Sequence, residues 1–364
     1  NNKMLKLTMN PRKRSKRSRT STGKRHLSDG KAMEQKSMLE DNLRALLMQE
    51  QSIQYRCSDY LSMTNCQRSV YDFLKRERPP VSANDLGDAR IDEYCREQIV
   101  EWSFRVVDYF RIDREVVAMS LSFLDRFLST CNCDRATFKL AATSTLNLAV
   151  KLLHPCKLGD LGILSDLSRG EFTMRDVAEM ESHILQALKW SLHPPTAITF
   201  TTIFLDCIVL DDSINMTGAD IDDLHDISSF FTELAVCDYF FVGVSPSEIA
   251  LASIINALEG MFGHQNRYAG QILTAAQKLK MYNNQDLSAV SHRLWELYER
   301  SEECAIHNNF DAMEEEKLPD EQMFVKTRQD LLSDSPISVA SNKSMPSNEM
   351  MCALRSQHLR NGSW

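Results

Sequence analysis

No stretch of this 364-residue chain is apolar for long enough to cross a bilayer. No Cys-x-x-Cys pair occurs among its ten cysteines, and Cys131-Asn132-Cys133 stands without a second pair or a histidine cluster, so no zinc site is expected. Glycine is scarce, at 12 residues, and none of it builds a phosphate-cradling loop. Gly-x-Ser-x-Gly, His-Glu-x-x-His and the kinase signature set are missing as well. The histidines stand apart from one another and read as surface or satisfied core residues. These absences leave no catalytic constellation, so the expectation is a protein that is not an enzyme and carries no cofactor. The basic opening lacks the apolar core of a secretory signal, which places the thiols in a reducing compartment, nucleus with cytoplasm.

What is present is a sizeable core and a lopsided charge. The chain is 43% hydrophobic and 25% charged, enough for two ordinary domains with tails. Residues 1–31 hold 11 Lys/Arg against one Asp, so with a net charge of −8 the remainder carries −18. A basic arm on an acidic body follows. Arg12-Lys13-Arg14-Ser15-Lys16-Arg17-Ser18-Arg19 is a nuclear-import candidate within a segment, 1–38, expected to be disordered.

Helical periodicity dominates from there on. Residues 39–90 form a lead-in, with helices expected over 39–51 and Thr64–Arg76. Residues 91–193 predict five helices: Tyr94–Phe110, Arg114–Ser129, a third capped by Asp134 and running to Leu153, a short fourth over Asp160–Leu167, and a fifth, Met174–Lys189, capped by Thr173. His193-Pro194-Pro195-Thr196 breaks the helix and stiffens the link. Residues 194–303 predict five more: Ala197–Leu210, Ala219–Tyr239, Ser247–Phe262, Arg267–Leu279 and Asn284–Glu302. Residues 304–364, rich in Ser and acids, are expected to be disordered, with Ser335-Pro336 a phosphorylation candidate. The fold class is all-α: two consecutive five-helix bundles between a basic N-terminal tail and a Ser-rich acidic C-terminal tail.

Three features stand out. The first bundle helix carries two apolar stripes, Ile99, Trp102, Val106, Phe110 and Val100, Phe104, Val107, so it is either buried or offers one stripe to a partner. The third is rich in Ala141, Ala142, Ser144 and Ala149, which let neighbours approach closely, and it carries Lys151 inside an apolar run. The fifth sets Glu181 on the apolar face of Val177, Met180, Ile184 and Leu188. A buried lysine and a buried carboxylate each need a partner, and each is the obvious partner of the other. From the residues alone the pair reads either as an internal salt bridge or as a binding hot spot.

At these positions the chain resembles the cyclin family, well over 91–196 and more loosely over 197–300. Arg96–Trp102 resembles the opening helix of a cyclin box, and Leu124-Asp125-Arg126-Phe127-Leu128-Ser129 its second-helix signature. Leu140, Leu148–Lys151, Met180-Glu181 and Leu188–Thr196 are similar to the third helix, the fifth helix and its exit. The five hallmark positions are filled by Arg96, Asp125, Leu140, Lys151 and Glu181. The resemblance implies a kinase regulatory subunit that holds the αC helix of a cyclin-dependent kinase inward, completing its Lys–Glu pair. Lys151 and Glu181 would bond the kinase main chain, with Leu152, Leu185, Trp190 and Leu192 supplying apolar area, while Arg96 and Asp125 hold the box together. In many members the first helix also docks substrates and inhibitors, here through Cys95, Ile99 and Trp102. Cys95 stands where Met is usual, Arg105 where an acid is common and Lys139 where Gln is common, so altered or absent docking of basic motifs is expected. Pro246–Ala252 and Arg105 lean toward the D-type, although the Leu-x-Cys-x-Glu motif is missing from residues 1–60. The alternative is a transcription factor of the same fold that binds promoter DNA. The basic arm suits DNA, but the acidic body and the lack of a preceding zinc ribbon do not.

Overall fold

The computed structural model describes residues 29–62, 91–131, 133–157, 172–211, 214, 216–263, 266–283 and 285–311. Ten α-helices occur among the described residues, and no strand. They are α1 (Asp29–Gln51), α2 (Glu93–Tyr109), α3 (Glu115–Leu128), α4 (Arg135–Leu153), α5 (Met174–Ala187), α6 (Ala197–Val209), α7 (Gly218–Cys237), α8 (Pro246–Phe262), α9 (Arg267–Lys278) and α10 (Ser288–Asp311). Short 3-10 turns lie at Pro155–Lys157 and Tyr239–Gly243. The helices expected over Thr64–Arg76 and Asp160–Leu167, the basic run Arg12–Arg19 and Ser335 lie outside the described residues.

Side chains placed at the helix starts define them. Asp92 accepts a hydrogen bond from the Cys95 amide and Asp134 from that of Thr137. Thr173 with Asp176, and Thr217 with Asp220, form reciprocal capping boxes, and Thr196 caps α6 directly after the double proline.

In the first bundle α4 is the central rod. Every residue from Thr137 to Val150 is buried, with α3 on one side, α5 on another and α2 also in contact. The small side chains make this close approach sterically feasible. Their hydroxyls turn back on the helix, Thr143 to the Lys139 carbonyl and Ser144 to that of Leu140, so no polar cost accrues. In the second bundle α8 plays the same part: Ala250, Ala252, Ser253 and Ala257 are wholly buried among α6, α7, α9 and α10.

The bundles are joined through α7, which packs on α2 and α3. Arg114 ties the joint. It bonds Asp108 at 2.8 and 2.5 Å, bonds Glu233 on α7 at 2.8 Å, and lies 5.1 Å from the Phe104 ring centroid.

Several boundaries differ from the sequence expectation. The first helix starts at Asp29, within the arm expected to be disordered as far as residue 38. Its opening turns, DGKAMEQKSM, hold good helix formers but no apolar period, and the helix is anchored further along by the fully buried Leu43. The last helix continues to Asp311, beyond the limit expected at 303. It also begins at Ser288 rather than Asn284, where Asp286 accepts from the Ser288 amide. α7 stops at Cys237 because Asp238 accepts from the Phe240 amide and starts a 3-10 turn.

Candidate functional site

Lys151 lies in the last turn of α4, one residue past the buried segment, where the rod reaches the surface. Its ammonium donates to both Glu181 oxygens, at 2.7 and 2.5 Å. Glu181, on the facing side of α5, is 8% exposed, whereas the lysine side chain retains 37% of its surface. The pair is therefore anchored at the acid and open at the cation. Asn147, one turn before Lys151, adds a third contact, its amide donating to Glu181 Oε1 at 2.5 Å. Sequence reasoning did not single out Asn147, although its place at i−4 from Lys151 on the same face was a usable sign. Three polar side chains from two helices thus converge at the rim of an apolar bundle.

Leu152 follows Lys151 on α4 and Leu185 lies one turn beyond Glu181 on α5; these two and Leu192 are half-buried, and Trp190 is 68% exposed. The exposure of the tryptophan is enforced by the backbone. α5 ends at Ala187, two residues earlier than expected, and Lys189 and Trp190 follow with φ of +51° and +59°. Each left-handed non-glycine residue costs on the order of 1 kcal/mol. The exit holds it there by three bonds: the Trp190 amide donates to the Leu185 carbonyl at 3.0 Å, Arg126 donates to the Ser191 carbonyl at 2.8 Å, and Ser191 Oγ donates to Gln54 at 3.0 Å. Strain is retained, and its product is a large aromatic ring facing outward.

The other hallmark pair is internal. Arg96 on α2 grips Asp125 on α3 with two parallel bonds of 3.0 and 2.8 Å, both side chains being nearly buried. Tyr60 donates its hydroxyl to Asp125 Oδ1 at 2.8 Å, and the remaining Arg96 nitrogen donates to the Val236 carbonyl on α7 at 2.9 Å. Burial alone would lower the Arg96 pKa; the Asp125 carboxylate outweighs it and the net shift is upward. Burial, with Asp125 adding to it, pushes the Tyr60 phenol well up. Leu140 is 4% exposed, in the core.

The stripe on α2 is core in this fold. Ile99 and Trp102 are 3% and 1% exposed, and the Trp102 indole nitrogen has no hydrogen-bond partner. Cys95 is half-buried, with its thiol pushed up to about 11 by burial. Arg105 pairs with Glu101 at 3.3 Å, and Lys139 is buried.

No helix among the described residues is long and apolar enough to cross a membrane, and no group of metal-ligating side chains occurs among them. Comparison with known proteins gives two family matches that follow each other along the chain: "Cyclin, N-terminal domain" over residues 69–193 and "Cyclin, C-terminal domain" over 195–326. G2/mitotic-specific cyclin-B2 of Oryzias latipes is 27% identical over 202 residues, 54% of this chain and 47% of that protein. G2/mitotic-specific cyclin-1 of Medicago sativa subsp. varia is 29% identical over 211 residues, 57% and 46% of the two chains. The chain thus matches about half the length of these relatives, both of them mitotic cyclins. The crystal structure of a viral cyclin from herpesvirus saimiri aligns with a TM-score of 0.43 and 19% identity, over 57% of this chain and 89% of that one. Two consecutive cyclin domains, all five hallmark positions in order and curated cyclin relatives make this chain a member of the cyclin family.

Proposed function

We propose that this chain is the regulatory subunit of a cyclin-dependent serine/threonine kinase, acting in cell-cycle control from the nucleus and cytoplasm. The observation that carries the reading is the Asn147–Lys151–Glu181 cluster at the open end of an otherwise buried helix, with Trp190 outward at the exit of α5. Lys151 keeps unused donor capacity and Glu181 keeps lone pairs, so both can bond a second main chain without breaking their own contact. Leu152, Leu185, Trp190 and Leu192 would exclude water around those bonds. A surface of this kind binds the inward arrangement of a mobile kinase helix better than the outward one and shifts the population toward the active state. The chain does no chemistry itself.

No observation in the folded body favours promoter-DNA binding. The burial of Ile99 and Trp102 supports weak or absent docking of basic leucine-containing motifs on α2. The decisive experiment is co-purification of the full chain with a cyclin-dependent kinase, followed by an activity assay. Wild-type protein should activate, and a Lys151→Ala/Glu181→Ala double variant with unchanged circular dichroism should not. Equal activation by that folded variant would sink the assignment.

A further inference from the structure

We propose that the junction between the two bundles is an oxyanion site, built around Arg126 and suited to a phosphate monoester. A cavity of about 420 Å³ opens there, between the end of α1, α3, the double-proline link and the start of α8. Arg126 lines it and is 4% exposed. One of its nitrogens donates to the Ser191 carbonyl, and its guanidinium lies 5.2 Å from the Tyr55 ring centroid. Its Nε and Nη1 have no hydrogen-bond partner, and no described carboxylate pairs with it. Burial lowers its pKa to about 10, so it stays protonated at neutral pH as an uncompensated charge. Leaving such a group buried and unpaired is strongly unfavourable.

The rest of the lining points the same way. Its acceptors are committed: Asp125 is taken by Arg96 and Tyr60, and both Glu50 oxygens accept from Ser247, one from the amide and one from the hydroxyl. Its donors are free. Ser122 Oγ and Ser245 Oγ make no hydrogen bond among the described residues, and Arg56 stands exposed at the rim without an ion pair. Surplus donors around a surplus positive charge specify an anion. Donors carried by separate elements suit a tetrahedral group with three acceptor oxygens better than a planar carboxylate. The cavity is also far larger than the roughly 30 Å³ share of one water, so it admits a side chain carrying the phosphate as well as the free ion. Lys151 and Glu181 do not line it, and Arg126 meets the proposed kinase surface only through the Ser191 carbonyl.

The test is calorimetric titration of the full chain with two probes, at matched ionic strength against chloride. One probe is inorganic phosphate. The other is a peptide of residues 329–341 of this chain phosphorylated at Ser335, with its unphosphorylated form as control. Binding of either phosphorylated probe, weakened by at least about tenfold in Arg126→Gln and by several-fold in Arg56→Ala, supports the site. Binding of the ion alone assigns free phosphate as the source; binding of the phosphopeptide but not its control assigns a phosphorylated side chain. Arg56 is exposed, so Arg56→Ala keeps the test open if Arg126→Gln fails to fold. No heat above the chloride control, or equal binding by the wild type and Arg56→Ala, would overturn the proposal and leave the cavity to water.

Discussion

Arg96 meets Asp125 through two parallel hydrogen bonds, and the pair is closed from outside by the Tyr60 hydroxyl and from the second bundle by the Val236 carbonyl. Four chain segments distant in sequence are thereby fixed at one point. Removing one partner leaves the other charge buried and unsatisfied. Arg96→Ala or Asp125→Ala should therefore cost about 3–5 kcal/mol. Tyr60→Phe, which deletes one neutral donor to a charged acceptor, should cost about 1.5–3 kcal/mol. Urea unfolding followed by circular dichroism checks both; losses below 1 kcal/mol for the charge deletions would show that the clasp is not structural.

Lys151 and Glu181 predict the opposite balance. The lysine keeps more than a third of its side chain exposed, so the pair is screened, and its Coulomb contribution to stability is about 1 kcal/mol or less. Lys151→Ala should leave the unfolding midpoint close to wild type yet weaken kinase binding by tenfold or more. Asn147→Ala should give an intermediate loss of binding, because it loosens Glu181 without removing a contact group. Surface plasmon resonance with the isolated kinase, beside the unfolding midpoints, separates these two outcomes from a common unfolding defect.

The fold and half of the site were readable because each rested on a local signal. Lys151 and Glu181 are ionic residues on apolar helical faces, and burial without pairing would be costly, so the sequence alone pointed each toward the other. Capping residues Asp134 and Thr173 sit where periodicity begins. Tyr60 had no such mark: its contact with Asp125 spans 65 residues, and it lies in a non-helical stretch. The opening turns of α1 carry no apolar stripe, so only helix propensity spoke for them. The left-handed Lys189 and Trp190 are not glycines, and nothing in their identity announces the turn that exposes the ring. The stripe of α2 reads as core or as docking surface from periodicity alone, and only the packed fold shows Ile99 and Trp102 buried.

Trp190 and Trp102 make a contrasting pair. Trp190 is mostly exposed and held outward at a local backbone cost, so Trp190→Ala should change stability little while removing about 2 kcal/mol or more of kinase binding. Trp102 is 1% exposed among core residues, so Trp102→Ala should cost about 3–5 kcal/mol of stability. A basic leucine-containing peptide should bind weakly to the wild type. Tight peptide binding lost in Trp102→Ala, with the variant as stable as wild type, would reverse the assignment of that stripe to the core.

Glu50 gives the chain a pH response through the anchoring of α1 on α8. Burial raises its pKa above the usual carboxylate value. The Ser247 amide and hydroxyl that bond it, and the Arg56 charge, oppose this without cancelling it, while Glu248 adds to it. A carboxyl whose folded pKa exceeds its unfolded one binds a proton more tightly when folded. Its contribution is then fully present below the unfolded value, near 4.5, and is lost as pH rises through the folded value. Glu50→Gln keeps an acceptor for Ser247 but cannot ionise. The stability of the wild type relative to Glu50→Gln should therefore fall as pH is raised above 4.5, and level off once the folded value is passed. Glu50→Ala, which strands the Ser247 donors, should be less stable than Glu50→Gln throughout. Denaturation midpoints across that range for the three proteins decide it: a wild type that gains on Glu50→Gln with rising pH would mean that the Ser247 bonds, rather than burial, govern this carboxylate.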